Sequence, residues 1–406
     1  MDFVDLKYRP SVDDVICEFQ IEEAAGISLK EAAGGIAAES SIGTWTQVTT
    51  EKSYVKELGA KVFEIDGKRV KIAYPIRLFE LGNLPNLLSS VAGNVYGLKE
   101  LKHLRLEDIQ IPSSLAKSFR GPRFGIEGVR KLVKVYGRPL LGAIIKPKLG
   151  LKAADHANVA YESWVGGCDI VKDDENLSSQ DFNRFETRVS ETLEKRDKAQ
   201  EEVGEKKVYL PNVSAETEDM LRRAEYVKDL GGESVMIDVI TCGASALQSL
   251  RNRDLGLVIH AHRAGHGALT RVENHGIAMK VIARLVRMVG VDQLHIGTAV
   301  GKMSESQDEV LENIKVLKEP FHGLKPVMPV ASGGLHPILV PDLIKIFDKD
   351  FIIQAGGGIH GHPDGTIAGA TAMRQAIDAT LHGISLIDYA NDHVELKKAM
   401  SIWMTR

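Results

Sequence analysis

The stretch Gly167-Cys168-Asp169-Ile170-Val171-Lys172-Asp173-Asp174-Glu175-Asn176 decides how this sequence is interpreted. Its first half is a short apolar run after a glycine turn, which predicts a buried strand. Alternation along a strand predicts that Lys172 and Asp174 share a face, and Glu175 joins them only if the strand ends or bends there. Two carboxylates on one side suit a hard cation such as Mg²⁺. Taken alone, however, an acid-rich tetrapeptide is more often a solvated turn.

Similar apolar runs recur from about residue 121 onward, separated by segments with helical periodicity. They begin at Leu140, Asp169, Val208, Ser234, Leu257, Gln293, Pro326 and Phe351. Eight strands alternating with helices predict an α/β fold, a C-terminal (β/α)8 TIM barrel over residues 121–406. A doubly wound open sheet is the alternative. Residues 1–120 mix strands with a helix and predict a smaller N-terminal α+β domain.

Local signals predict several boundaries. Ser28 is the expected N-cap of an alanine-rich helix that runs to Ala38. Asp66-Gly67-Lys68 predicts the turn of a hairpin between strands 60–65 and 69–75. Ser306, with Glu309 three residues later, predicts a capping box. The highly charged run 193–207 predicts a solvated outer helix.

Composition narrows the class of protein. The chain has 406 residues, 44% of them hydrophobic, which suits two domains with large cores. A net charge of −4, from 51 basic and 55 acidic residues, lacks the basic excess of a nucleic-acid-binding protein. Three widely spaced cysteines fit a reducing compartment. No signal-peptide pattern or membrane-length apolar run is visible, so we expect a cytoplasmic protein that binds neither membrane nor nucleic acid.

The predicted strands end in groups suited to chemistry. The groups are Lys146-Pro147-Lys148, His260-Ala261-His262-Arg263 followed by His266, Gly301-Lys302, Ser332-Gly333-Gly334 and Gly356-Gly357. Each has a simpler alternative, such as a pair of surface lysines, a core histidine, an exposed loop lysine or an ordinary glycine turn. Their position at successive strand ends favours a shared pocket. Such a pocket would combine a hard-metal site, proton-transfer groups and glycine-lined anion sites, which suits enolisation of a phosphorylated sugar-like substrate.

Several motifs, in order along nearly the whole chain, resemble the large subunit of RuBisCO, ribulose-1,5-bisphosphate carboxylase/oxygenase. In the barrel they are Lys146-Pro-Lys-Leu-Gly-Leu, Gly167 to Asn176, His262-Arg-Ala-Gly-His266, His295-Ile-Gly-Thr298, Gly301-Lys302 and Ser332-Gly-Gly-Leu-His336. In the N-terminal domain they are Ala38 to Trp45 and Gly93-Asn94-Val95. The chain is shorter than plant large subunits, and in this it is similar to the archaeal, form III, enzymes.

The resemblance implies Mg²⁺-dependent enolisation and carboxylation of ribulose 1,5-bisphosphate to two 3-phosphoglycerate molecules, with oxygenation by O₂ as a side reaction. Lys172 would be carbamylated by an activator CO₂ and would ligate Mg²⁺ together with Asp174 and Glu175. Lys146, Lys172, His262 and Lys302 would be catalytic. Of these, Lys302 would close over the site and polarise the substrate CO₂.

The resemblance also implies a set of substrate-binding residues. They are Glu39, Thr44, Trp45, Asn94, Lys148, Arg263, His266, His295, Ser332, Gly333, Gly334, Gly356 and Gly357. Arg263 and His295 would hold one phosphate, with Ser332 nearby. The other phosphate would lie among Thr44, Trp45, Gly334, Gly356 and Gly357. In the family, Glu39 and Asn94 come from a neighbouring subunit, which implies a homodimer or an assembly of dimers without a small subunit.

Two other functions stay open at this point. RuBisCO-like enolases or isomerases share the fold but usually lose several catalytic or phosphate-binding residues, all of which are present here. A non-catalytic sugar-phosphate-binding protein would need the anion sites but neither the metal ligands nor Lys302. The residues therefore favour a true carboxylase. They do not separate a photosynthetic role from one in nucleotide salvage.

Overall fold

The computed structural model of the chain describes residues 3–44, 46, 48–301 and 305–404. It contains two compact units. The first consists of residues 1–121 and 265–289, and the second of residues 122–264 and 290–406. The predicted division into domains 1–120 and 121–406 stays a prediction. The structure adds that a later segment, 265–289, packs with the beginning of the chain.

The strands and helices have the following bounds in chain order. The strands are β1 (Val15–Glu23), β2 (Lys61–Asp66), β3 (Arg69–Tyr74), β4 (Leu101–Gln110), β5 (Leu140–Ile144), β6 (Ile170–Lys172), β7 (Val208–Leu210), β8 (Ser234–Asp238), β9 (Val258–His262), β10 (Gly276–Ile277), β11 (Gln293–His295), β12 (Met328–Ser332) and β13 (Ile352–Ala355). The α-helices are α1 (Leu29–Glu39), α2 (Leu84–Val91), α3 (Ser113–Ala116), α4 (Gly125–Val133), α5 (Ala153–Val165), α6 (Phe185–Val203), α7 (Thr217–Asp229), α8 (Ala244–Arg253), α9 (Gly267–Thr270), α10 (Met279–Val289), α11 (Gln307–Lys318), α12 (Val340–Phe347), α13 (Gly357–His360), α14 (Gly365–Leu381), α15 (Leu386–Tyr389) and α16 (Val394–Trp403). Short 3-10 turns span Ser53–Leu58, Ile76–Leu78, Asn94–Gly97 and Pro337–Leu339.

The first unit is built on a mixed sheet with the strand order β10-β4-β1-β3-β2. The predicted hairpin is confirmed, because β2 pairs antiparallel with β3 and Gly67 takes a left-handed φ of 54° in the turn. The predicted helix start is confirmed as well. The Ser28 side chain accepts from the Glu31 N–H, and the Glu31 carboxylate accepts in return from the Ser28 N–H, so that α1 begins with a capping box.

The second unit contains eight parallel strands in the order β7-β6-β5-β13-β12-β11-β9-β8. The two outer strands meet just beyond β7, where Met236 N donates to Pro211 O at 2.8 Å and Val213 N donates to Met236 O at 3.0 Å. These bonds close the sheet into a barrel. The eight predicted strands are confirmed, with the largest offset at Pro326, where the strand begins at Met328. The predicted capping box at Ser306 is also present.

The core of the barrel unit fills its amino-terminal end. Buried residues from seven barrel strands form this cluster: Leu140, Ile170, Val208, Leu210, Met236, Val258, Met328, Val330 and Ile352. Val129 and Val133 of α4 belong to the same cluster. The start of α4 is held by Asp292, just before β11, whose Oδ1 accepts from Phe124 N at 2.6 Å. Helix α4 therefore covers this end, and the carboxyl ends of the strands are left for polar groups.

The charged run 193–207 is only partly the solvated helix that its composition predicts. Helix α6 ends at Val203 with exposed acids and lysines along one side. Lys207, just before β7, is fully buried instead. Its Nζ donates to Cys168 O at 3.0 Å and to Glu205 Oε2 at 2.9 Å. The charge run therefore does not reveal that Lys207 is buried, because one of its two bonds goes to the backbone of the distant Cys168.

Gly142 lies in the middle of β5, beside the buried Gln354 of β13. A Cβ at this position would lie 2.2 Å from Gln354 Oε1, while Gln354 Nε2 is held by Ala143 O at 2.9 Å. We expect Gly142→Ala to lower the free energy of unfolding by about 1–3 kcal/mol, because the amide cannot move away without losing its bond. Urea denaturation followed by circular dichroism measures the change.

Gly35 in α1 offers a matched control for this substitution. A Cβ there meets no atom within 4 Å. Gly35→Ala should therefore raise the free energy of unfolding by about 0.5–1 kcal/mol, because alanine favours the helix. Equal effects of the two substitutions would contradict the packing argument.

Among the described residues, no helix is long and apolar enough to cross a membrane.

Candidate active site

Lys172 is the last residue of β6 and its side chain is completely buried. Its Nζ donates to Asp173 O at 2.8 Å and to Met236 Sδ at 3.4 Å, and lies 3.5 Å from Glu175 Oε2. Burial lowers the pKa of the Lys172 ammonium, although the charges of Glu175 and Asp174 oppose this shift. The site thus holds an amine that gives up its proton more readily than a surface lysine.

Asp174, two residues after Lys172, is nearly buried and binds Lys146. The Lys146 Nζ lies 2.6 Å from Asp174 Oδ2. Strand β5 ends at Ile144, so the alternation that would place Lys146 and Lys148 on one face no longer applies. Lys146 is half-buried and Lys148 is exposed. The structure therefore brings only the first of the two lysines against the carboxylates.

Asp173 points away from its two neighbours and is not among the site residues predicted from the sequence. Four groups bond its fully buried carboxylate: His156 Nε2 at 3.0 Å, Arg188 Nε at 3.0 Å, Tyr209 OH at 2.6 Å and Asn212 N at 3.0 Å. Burial raises the pKa of Asp173, but the charge of Arg188 and the bond from His156 outweigh it and hold the pKa well below its usual range. This network anchors the strand end from behind, so that the flanking side chains face the site.

Glu175 joins the carboxylate side of the site, as expected if the strand ends at Lys172. His262, the last residue of β9, lies with Nε2 3.6 Å from Glu175 Oε2. Its Nδ1 lies 3.3 Å from Oδ2 of Asp238, the last residue of β8. Burial raises the pKa of Glu175, but Lys172 and His262 lower it to about 2. Asp238 was missed, although its place at a strand end was a usable signal.

A buried row of hydrogen bonds leads inward from Ser332. Ser332 Oγ lies 2.7 Å from His295 Nδ1, and His295 Nε2 lies 2.8 Å from His260 Nε2. His260 Nδ1 in turn lies 2.7 Å from Gln293 Oε1. Burial lowers the pKa of His260 to about 3 and that of His295 well below its usual value. Both imidazoles are therefore neutral near pH 7, and the row places His295 Nδ1 against Ser332 and His260 Nδ1 against Gln293.

Arg263 follows β9 directly and forms a buried ion pair with Glu305, just before α11. Only 6% of the Arg263 side chain and 10% of the Glu305 side chain are exposed. The pair packs against Gly297, where a Cβ would lie 3.1 Å from Glu305 Cδ. Within the described part of the chain, Arg263 Nη1 is buried and has no hydrogen-bond partner. The guanidinium thus keeps unused donor capacity.

The predicted glycines lie where β12 and β13 end. Gly333 and Gly334 take left-handed φ angles of 117° and 72°. A Cβ on Gly356 would lie 3.0 Å from Lys146 Cε, whereas Gly357 opens into free space at the start of α13. A side chain at Gly356 would thus crowd Lys146, whereas the space beside Gly357 is open. Such loops suit an anionic group.

The remaining predicted residues belong to the first unit or lie outside the described ranges. Glu39 ends α1, and its Oε1 accepts from Asn94 Nδ2 at 3.2 Å. Thr44 is exposed. His266 Nδ1 lies 3.0 Å from Thr270 Oγ1. The predictions for Trp45 and Lys302 fall outside the described residues.

The donor set at the end of β6 fits Mg²⁺ if Lys172 contributes an oxygen. In the ranges that the structure describes, no group of three or more His, Cys, Asp and Glu side chains forms a metal site. Asp174 and Glu175 supply two carboxylates, and the buried Lys172 Nζ lies 3.5 Å from one of them. A carbamate on that nitrogen would provide a third anionic oxygen ligand, which is the donor chemistry that Mg²⁺ prefers.

Comparisons with known proteins agree along the whole chain. Residues 2–115 match the family model described as the ribulose bisphosphate carboxylase large chain, N-terminal domain, and residues 125–403 match the corresponding catalytic domain. A ribulose bisphosphate carboxylase of Methanocaldococcus jannaschii is 51% identical over an alignment 428 residues long, gaps included. The alignment covers 99% of this chain and 100% of the relative.

Two solved archaeal structures are similar over nearly their full lengths. The octameric Rubisco of Pyrococcus horikoshii, determined as a complex with sulfate, superposes with a TM-score of 0.96 at 49% identity and covers 100% of this chain and 97% of its own. The dimeric archaeal Rubisco of Hyperthermus butylicus superposes with a TM-score of 0.93 at 45% identity and covers 99% and 98%. The predicted barrel and the predicted resemblance are thereby confirmed.

Proposed function

Because the chain belongs to the ribulose bisphosphate carboxylase large chain family and is a carboxylase, we propose that it works through a carbamate on Lys172 and bound Mg²⁺. The reaction would be enolisation and carboxylation of ribulose 1,5-bisphosphate to two molecules of 3-phosphoglycerate, with oxygenation by O₂ as a side reaction. The observation that carries the proposal is the completely buried Lys172 beside the carboxylates of Asp174 and Glu175.

The carbamate resolves an electrostatic conflict at the strand end. A lysine cation beside two metal-binding carboxylates would repel the metal. The Lys172 ammonium first gives up one proton to become a neutral amine. When this Nζ attacks the carbon of an activator CO₂, an N–C bond forms, one C–O π bond of CO₂ breaks, a second proton passes to solvent, and the side chain becomes an anion. The carbamate, Asp174 and Glu175 would then hold Mg²⁺. When bound, the ion would supply a Lewis acid for the carbonyl and hydroxyl oxygens of the substrate.

The surrounding side chains would move the protons. The carbamate would take the proton from C3 of the substrate. His262, oriented by Asp238 at 3.3 Å, would transfer a proton at the C3 oxygen. Lys146, now paired with Asp174, would protonate C2 in the last step, with support from Lys148.

Two groups of residues would bind the two phosphates of the substrate. Arg263, His295 and Ser332 would hold one phosphate. The other would bind at the loops after β12 and β13, through Gly334, Gly356 and Gly357, with Thr44 and Trp45, and Gly333 would contribute to substrate binding. Lys302 would close over the substrate and polarise CO₂, and His266 would contribute to substrate binding.

We further propose a homodimer or an assembly of dimers, without a small subunit, in which Glu39 and Asn94 complete the site of a neighbouring copy. The dimeric and octameric archaeal relatives support this assembly. The proposed location is the cytoplasm, and the proposed reaction suits either a photosynthetic role or one in nucleotide salvage.

The decisive experiment supplies ribulose 1,5-bisphosphate, Mg²⁺ and ¹⁴C-bicarbonate to the purified protein. We expect Mg²⁺-dependent entry of label into 3-phosphoglycerate. Exchange of the C3 proton with solvent, measured in parallel, reports enolisation alone. Exchange without entry of label would contradict the carboxylase and favour a RuBisCO-like enolase or isomerase. Binding of the substrate with neither exchange nor label would favour a non-catalytic sugar-phosphate-binding protein.

A further inference from the structure

The pairing of Arg263 with Glu305 has no place in the proposed mechanism. Arg263 is assigned to a substrate phosphate, yet its Nη2 is already bonded to Glu305 Oε1. Both side chains are nearly withdrawn from solvent, so each stabilises the charge of the other. A buried guanidinium without such a partner would be costly. Glu305 therefore supplies the counter-charge at Arg263 when no ligand is bound.

The guanidinium also has a donor to spare. Among the described residues, Arg263 Nη1 is buried and meets no hydrogen-bond acceptor. Buried donors of this kind are uncommon and point to a ligand that completes them. One side of the Arg263 guanidinium is therefore bonded to a carboxylate, while a donor on the other side has no acceptor among the described residues.

A phosphate and the Glu305 carboxylate cannot both lie against Arg263 without repulsion. A phosphate monoester brings roughly −1.5 to −2 charges at pH 7. Like charges held together in a site withdrawn from water are strongly unfavourable. Binding therefore requires Glu305 to leave or to tolerate the repulsion. Both outcomes lower the apparent affinity for phosphate. If Glu305 leaves, the apparent affinity is the intrinsic affinity multiplied by the fraction of time for which Arg263 is free of Glu305.

We propose that Glu305 is an internal anion that competes with the substrate phosphate for Arg263 and so sets the phosphate affinity of this side of the site. The inference rests on the proposed function, which assigns Arg263 to a phosphate. The position of Glu305 in the chain supports the proposal. Glu305 directly precedes the N-cap of α11 and contacts Gly297, whose missing side chain makes room for the ion pair.

Glu305→Gln tests the proposal, since it removes the charge and keeps the shape. We expect this variant to bind inorganic phosphate roughly five- to tenfold more tightly than the wild type, as measured by isothermal titration calorimetry. Asp308→Asn, an exposed position in the first turn of α11, is the matched control. It makes the same change in net charge and should leave phosphate affinity unchanged. Equal tightening in both variants would mean a general charge effect and overturn the proposal.

Thermal unfolding separates competition from a merely structural role. Without phosphate, Glu305→Gln should unfold at a lower temperature than the wild type, because Arg263 loses its counter-charge. Saturating phosphate should raise the unfolding temperature of this variant more than that of the wild type. A lower unfolding temperature with an unchanged or smaller response to phosphate would overturn the proposal.

Arg263→Lys distinguishes failure of this inference from failure of the proposed function. If Arg263→Lys weakens phosphate binding but Glu305→Gln does not strengthen it, the phosphate site stands and the competition is wrong. If Arg263→Lys leaves phosphate binding unchanged, the assignment of Arg263 to a phosphate fails, and the competition fails with it.

Discussion

Lys172→Ala is expected to lower the rate of carboxylation by at least about 10³-fold, because it removes a proposed metal ligand and the proposed base together. The protein should still fold, since the lost side chain made few bonds: one to Asp173 O and one to Met236 Sδ. Carboxylation is measured with labelled bicarbonate. Carbamate formation is measured by ¹³C NMR after equilibration with ¹³CO₂ and Mg²⁺. The variant should lack the carbamate signal of the wild type.

Lys207 offers a matched control, because it is as completely buried as Lys172 but precedes a barrel strand instead of ending one. Lys207→Ala should reduce stability, since it removes the bonds to Cys168 O and Glu205. Its folded fraction should keep both the carbamate signal and carboxylation. Substantial Mg²⁺-dependent turnover by Lys172→Ala would refute the carbamate assignment, as would an equal loss of the signal in both variants.

Asp173→Ala should lower the free energy of unfolding by about 3–5 kcal/mol, because it leaves Arg188 buried and charged without its carboxylate. Neither side chain of this pair is exposed. Carboxylation should also fall, since the network behind the strand end positions the proposed metal ligands Lys172 and Asp174. Urea denaturation measures the stability, and labelled bicarbonate measures the activity.

Two further variants complete this test. Asp364→Ala removes an exposed ion pair with Lys398 and should leave the urea midpoint within experimental error. The double variant Asp173→Ala/Arg188→Met should be less destabilised than the sum of its single changes, because it leaves no charge uncompensated. Additive losses would show that the two charges do not act as a pair.

The elements of the fold were predictable because their signals are local. A capping serine, an Asp-Gly turn and a run of apolar residues act within one turn or strand, so Ser28, Gly67 and the barrel strands were found from the sequence. Order along the chain then brought the strand ends together, since the carboxyl ends of barrel strands share one face. The order of the strands was therefore enough to place Lys172, Glu175 and His262 in one site.

The partners of these residues were not predictable, because they depend on register across the closed barrel. Asp238 orients His262, and Gln293 ends the row that begins at Ser332. Glu305 occupies Arg263 from a position 42 residues later in the chain. No local sequence pattern predicts such pairs. Lys148 lies beyond the end of β5 at Ile144, so strand alternation does not bring it to the same face as Lys146.

The segment 265–289 has a consequence for biosynthesis. It carries β10, the outer strand beside β4, and helix α10, both of which belong to the first unit. On the ribosome, these elements emerge only after five of the eight barrel strands, β5 to β9, have been made. The first unit therefore cannot complete its sheet early in translation, and the folding of the two units overlaps in time. A nascent chain released at Gly121 would lack β10 and would expose the unpaired edge of β4, which could pair with strands of other chains and cause aggregation.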